Sequence, residues 1–319
     1  MAVRVVRTLQ ETIPFLPNVK KGTYDPSVGT FVLVGGSSYK CTDFDTFDVA
    51  EGGFYRKFDY EAEYPHINFQ TRLARQSATF SFDRPTDLLN HNLYAGGKHR
   101  GVYVASWSDL TMENYARFMR ALLDYHRIRP PYLFVACSEG GYDVLCFARY
   151  YASCVKRVYF IDTPIVGTYW QTFEALRGNG QWYDDLERRK FSWEPTREID
   201  FHDEETLKKI DVYNFEVKTV NVINKLDVGD FPRAVPMVFF WSPYLDSAAV
   251  SREKVRILRR LSAAIRGSCT GAMCLFVDAP HQVERVLPVS LSAFITRTSR
   301  AEPRFASALA ALGTRAKPA

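Results

Sequence analysis

Residues 131–142 read PYLFVACSEGGY. Tyr132 to Ala136 make an apolar run short enough for a buried strand, and an apolar helical pattern begins just after Gly141. Between them stand Cys137, Ser138, Glu139 and Gly140. A serine at the tip of a sharp strand-to-helix turn has a strained backbone, and bulky residues two positions to either side would clash. Those positions hold Ala136 and Gly140, and Gly141 lets the next helix pack closely. Such a turn lifts the Ser138 hydroxyl clear of the sheet and leaves it at a helix N-terminus, where the N–H of Glu139 can face a developing oxyanion.

Outward from this turn, apolar and β-branched runs predict strands at 30–34, 78–82, 101–105, 132–136, 157–161, 236–241 and 272–277. Amphipathic helices are predicted between several of them. Over 112–126, Tyr115, Phe118, Met119 and Leu122 fall on one helical face, and 141–153 and 251–266 behave similarly. Strands alternating with crossover helices predict an α/β chain with a mostly parallel sheet covered on both faces. The alternation breaks over 167–235, a segment carrying Trp170, Trp182 and Trp193, which reads as a cap or lid inserted into one domain spanning 1–319. Residues 298–319 read as a basic tail, a short helix or a frayed end.

The chain has 319 residues and is 46% hydrophobic and 14% aromatic, enough to bury a large core. No apolar run is long enough for a transmembrane helix, and charges scattered through MAVRVVRTLQETIPFLPNVKKG argue against a signal peptide, so no stable membrane insertion is expected. The six cysteines form no CxxC pair and read as reduced thiols of a cytoplasmic protein rather than disulfides or zinc ligands. The formal net charge is +5. Over 297–319, Arg297, Arg300, Arg304, Arg315 and Lys317 stand against Glu302 alone, so most of that excess sits at the C-terminal end, which argues against a nucleic-acid-binding surface across the domain.

A serine hydroxyl is a poor nucleophile until a base takes its proton. Of the six histidines, His66, His91, His99, His126 and His202 sit in loop, helix-end or cap contexts, whereas His281 follows a predicted strand and precedes a helical segment in CLFVDAPHQVERVLP. The histidine in turn needs a carboxylate to set its tautomer. Two aspartates follow strongly apolar strands: Asp246 in VPMVFFWSPYLDSAAV and Asp162 in VYFIDTP. Asp246 is preferred, with a helix N-cap as its alternative reading, and Asp162 is the competing acid. Asp227 and Asp230 have no clear core strand before them.

The elbow ACSEG followed by Asp246 and His281 resembles the α/β-hydrolase superfamily over about residues 30–294. VPMVFFWSPYLD is similar to that family's penultimate strand and acid loop, and VDAPHQVERVLP to its histidine loop. The resemblance implies a mostly parallel eight-stranded sheet with helices on both faces. It also implies ester, thioester or amide hydrolysis by Ser138, Asp246 and His281, with no metal or organic cofactor. FVLVGGSSYK is similar to the family's oxyanion strand, with Gly35 where a histidine usually stands. The oxyanion donors are then the N–H groups of Glu139 and of Gly36 or Ser37.

Cys137 reads as a packing residue, and Glu139 as a solvated one, with a side chain near the site that favours a cationic substrate as its alternative reading. Trp170, Phe173 and Trp182 belong to an aromatic set that lines an acyl pocket or forms the cap's own small core. Arg252, Lys254, Arg256, Arg259, Arg260 and Arg266 read as a solvated helix face, with contact to anionic lipid or RNA as the lesser reading. The function expected is a serine esterase acting on a small-molecule acyl substrate. A non-catalytic binding or structural protein of the same fold and an acyltransferase using the same residues are the alternatives.

Overall fold

In the computed structural model the described residues are 4–6, 8–37, 39–46, 61, 66–85, 102–104, 110–163, 165–194, 204–244, 247–300 and 305–319. The strands are β1 (Arg4–Val6), β2 (Asn18–Lys21), β3 (Thr30–Val34), β4 (Thr79–Phe82), β5 (Val102–Val104), β6 (Tyr132–Cys137), β7 (Val155–Ile161), β8 (Met237–Trp241), β9 (Met273–Val277) and β10 (Ala316–Pro318). Eight of them form one sheet in the order β10-β9-β8-β7-β6-β3-β4-β2. Its six inner strands are parallel, while β2 and β10 close the two edges antiparallel. The expected mostly parallel, eight-stranded α/β architecture is therefore present.

The inner strands are buried on both faces, which is why they read as continuous apolar runs rather than as alternating ones. Side chains still alternate between two cores. Val32, Val34, Phe134, Ala136, Phe160 and Phe239 face one, and Phe31, Leu33, Leu133, Val135, Tyr159 and Phe240 face the other. Thr30 to Val34 and Tyr132 to Cys137 are buried throughout.

The α-helices are α1 (Phe69–Ala74), α2 (Met112–Tyr125), α3 (Gly140–Tyr150), α4 (Gly167–Leu176), α5 (Gly180–Glu187), α6 (Glu204–Asn221), α7 (Ala248–Ser268), α8 (Val283–Val286), α9 (Pro288–Thr298) and α10 (Phe305–Leu312). The first core takes Tyr115, Phe118, Met119 and Leu122 of α2, Val144 and Phe147 of α3, and Leu258 and Leu261 of α7. The second takes Phe69 and Leu73 of α1, Leu291 and Phe294 of α9, and Leu312 of α10. Thr111 caps α2 by accepting a bond from the N–H of Asn114, and Ser247 caps α7 through Val250.

Four details add to these expectations. The segment at 101–105 contributes Val102–Val104, paired parallel with Arg4–Val6 in a separate two-stranded sheet. Two edge strands were not legible, because NVKK and AKP carry charges and a proline rather than an apolar pattern. The tail forms α10 and then β10 on the sheet edge. Within 167–235, Ile210, Val217, Val222, Ile223 and Leu226 are buried in the same core as α2 and α3, so this segment packs as an extension of that core.

Candidate active site

β6 and β7 run parallel with Cys137 opposite Ile161, so the next residues, Ser138 and Asp162, leave the sheet side by side. Both turn sharply. Ser138 has φ 47° and Asp162 φ 49°, in the left-handed region, where aspartate is better tolerated than serine. The Ser138 N–H donates to the carbonyl of Ile161 at 3.0 Å, tying the turn to the neighbouring strand. A Cβ on Gly140 would stand 2.4 Å from the Gly35 carbonyl oxygen, and one on Gly141 would stand 1.7 Å from Thr163 Oγ1. Only glycines let α3 start this close to the elbow.

His281 comes from the loop after β9. Its Nε2 lies 2.8 Å from Ser138 Oγ, and its Nδ1 lies 2.6 Å from Asp162 Oδ2. With Asp162 ionised, Nδ1 carries the proton and donates it to Oδ2, which leaves Nε2 to accept from the serine hydroxyl. The Asp162 side chain is 4% exposed, while the imidazole is 45% exposed at the mouth of the site. Oδ1 of Asp162 accepts from the Ser242 N–H at 3.1 Å, and Lys254 Nζ lies 3.2 and 3.0 Å from its two oxygens. Burial pushes the Asp162 carboxyl up, but the Lys254 charge and the His281 hydrogen bond outweigh it and hold the group below its ordinary range.

Ser138, Asp162 and His281 open onto a cleft of about 370 Å³. Ser37, Glu139 and Tyr142 line it on the sheet side, and Trp170, Phe173 and Phe215 line it from α4 and α6. Gly36 borders the serine, since a Cβ there would meet Ser138 Cβ at 2.7 Å.

No family model matches the chain, and no curated protein matches it. Solved structures do. Esterase E22 aligns at TM-score 0.50 and 10% identity over 88% of this chain and 92% of its own. MGS-M2, an α/β-hydrolase enzyme from a Medee basin deep-sea metagenome library, aligns at 0.49 and 13% over 88% and 92%. A thermophilic esterase from Thermogutta terrifontis aligns at 0.47 and 15% over 87% and 90%. The chain has the α/β-hydrolase fold. At these identities the likeness is one of fold.

Within this α/β-hydrolase fold, the carboxylate hydrogen-bonded to His281 Nδ1 is that of Asp162, the competing acid of the sequence. Asp246 lies outside the described residues, as do His91, His99 and His202, and the N-cap of α7 is Ser247. Strand register brings this aspartate there, because Asp162 leaves the strand next to that of Ser138. Cys137 is 2% exposed, and burial pushes its thiol far up, which suits a packing residue. Trp170 and Phe173 reach the cleft. Trp182 does not, because it stacks on Phe215 at 6.3 Å and donates from Nε1 to Glu216.

Glu139 is buried rather than solvated. Its carboxylate meets Arg84 Nη2 and Lys218 Nζ, both at 2.9 Å, and accepts from the Ser37 hydroxyl. Lys218 also lies 2.6 Å from Asp143. Burial alone would raise Glu139, but the two cations and the Arg84 and Ser37 hydrogen bonds hold it well below the usual carboxylate range. Lys254, grouped by sequence with a solvated face, is buried against Asp162. No periodicity in the sequence signals these long-range pairs. Among the described residues no helix is long and apolar enough to cross a membrane.

Proposed function

We propose that the chain is a serine hydrolase acting on carboxylic esters, with Ser138, His281 and Asp162 as its catalytic triad. The observation that carries this reading is the continuous hydrogen-bond chain from Ser138 Oγ through the imidazole to Asp162. Ser138 Oγ attacks the ester carbonyl carbon as Nε2 takes its proton, and Asp162 stabilises the imidazolium. The oxyanion is held by the N–H of Glu139 and by that of Gly36 or Ser37. Collapse of the tetrahedral species expels the alcohol, which leaves with the proton from His281. Water then attacks the acyl-serine with His281 as base, releasing the acid and restoring Ser138. Trp170, Phe173 and Phe215 form the wall that receives the acyl or alkyl group.

Two substitutions test this assignment on a p-nitrophenyl ester. Asp162→Asn is expected to lower turnover by roughly 10⁴-fold, while Asp246→Asn leaves it within a small factor of the parent. Equal activity in the parent and Asp162→Asn would reject the assignment. A parent with no activity would favour a binding protein on a hydrolase fold.

A further inference from the structure

Lys254 is a buried cation that the reaction above does not use. Its side chain is 3% exposed on α7, and its Nζ meets Asp162 Oδ2 at 3.0 Å, Asp162 Oδ1 at 3.2 Å and the Tyr244 carbonyl at 3.4 Å. The three N–H donors of an ammonium thus face three acceptors. Desolvating a lysine is costly, and the neighbouring arginines of the same helix avoid that cost by staying at the surface. Lys254 shares Oδ2 with Nδ1 of His281, so it touches the oxygen on which the imidazole depends.

We propose that Lys254 is a positioning residue of the triad, fixing the Asp162 carboxylate toward Nδ1 of His281. This rests on the hydrolase reading above. A lone carboxylate behind the ring would stabilise the imidazolium in the resting protein and so withdraw the base at higher pH. With Lys254 in place the carboxylate charge is balanced and both of its oxygens are held, so it keeps its aim.

Other charged or titratable groups around His281 are engaged elsewhere. Tyr244 donates its hydroxyl to Asp278 on the approach side, and Glu139 is held by Arg84 and Lys218, with Asp143 beside them. Behind the histidine loop, Glu284 accepts from Tyr39 and Arg285 pairs with Asp43. Arg177 on the cleft wall pairs with Glu174. Among the described residues, the cation hydrogen-bonded to Asp162, apart from His281 when protonated, is Lys254.

The test needs no natural substrate. Second-order rates of labelling by a fluorophosphonate are measured against pH for the parent, Lys254→Met, Lys254→Gln, Asp162→Asn and the Asp162→Asn/Lys254→Met pair. For Lys254→Met the acid limb is expected to move upward by about one pH unit and the maximal rate to fall roughly tenfold or more. Lys254→Gln keeps a donor for the carboxylate without the charge, so it should recover rate while its limb stays displaced. In the Asp162→Asn background Lys254→Met should cost nothing further, because Lys254 acts through Asp162.

A superimposable acid limb, or losses that multiply in the paired variant, would overturn the proposal. If both Lys254 single variants fail to fold, the paired variant, which removes both buried charges together, decides by comparison with Asp162→Asn alone. An unlabelled parent would overturn the hydrolase reading and this inference with it. A labelled parent with an unmoved limb would overturn this inference alone.

Discussion

Lys218, on the helix Glu204–Asn221, places its ammonium 2.9 Å from the carboxylate of Glu139, the residue that follows Ser138. The Lys218 side chain is fully buried, and Arg84 and Asp143 complete a cluster of two cations and two carboxylates. The segment inserted between β7 and β8 is thus clasped to the elbow by charge as well as joined to the core by Val217 and Ile223. Removing one member of a buried ionic cluster strands its partners, which typically costs about 3–5 kcal/mol. Lys218→Met is therefore expected to lower the melting temperature markedly, while exposed Lys209→Met, on the same helix, leaves it nearly unchanged. Equal melting of the two variants would show that the clasp contributes nothing.

The same cluster sets a pH dependence. Glu139 is held well below the ordinary carboxylate range in the fold, so its contribution is fully present above the unfolded value of about 4.3 and lost as pH falls through the lower folded value. Asp143, raised chiefly by burial against the pull of Lys218 and Arg84, acts in the opposite sense. The gap in melting temperature between the parent and Glu139→Gln should be wide at neutral pH and begin to close only below about pH 4. Thermal melts of both proteins as a function of pH measure it. A gap that closes near neutrality would contradict the assignment.

The two aromatic roles separate by substitution. Phe173 lines the cleft, whereas Trp182 packs on Phe215 and bonds to Glu216 behind it. Phe173→Ala should shift the preference among p-nitrophenyl esters toward longer or bulkier acyl groups. Trp182→Ala should chiefly destabilise, with less effect on the order of preference. Relative kcat/KM across an ester series, read beside the melting temperatures, distinguishes them.

What the sequence made legible, and what it did not, follows from the range of each signal. The elbow is local: an apolar strand, a serine between small residues, and glycines where Gly140 and Gly141 meet backbone and Thr163. His281 was legible for the same reason, as a histidine directly after a strand. The carboxylate partner of His281 was not, because Asp162 and Asp246 both follow apolar runs in the sequence, and the pairing of Cys137 with Ile161 is what puts Asp162 beside the serine. Lys254 and Glu139 looked like surface charges, because burial of a charge depends on a partner far away in the chain. Lys254 finds Asp162, and Glu139 finds Arg84 and Lys218.

The central claim is that Ser138 is a nucleophile activated by His281. Intact-mass analysis of the full chain after treatment with a fluorophosphonate, followed by peptide mapping, tests it most directly. The account predicts a single adduct on the peptide containing Ser138, absent from Ser138→Ala and strongly slowed in His281→Ala, with both variants folded. An unmodified parent, or an adduct that persists in Ser138→Ala, would contradict it.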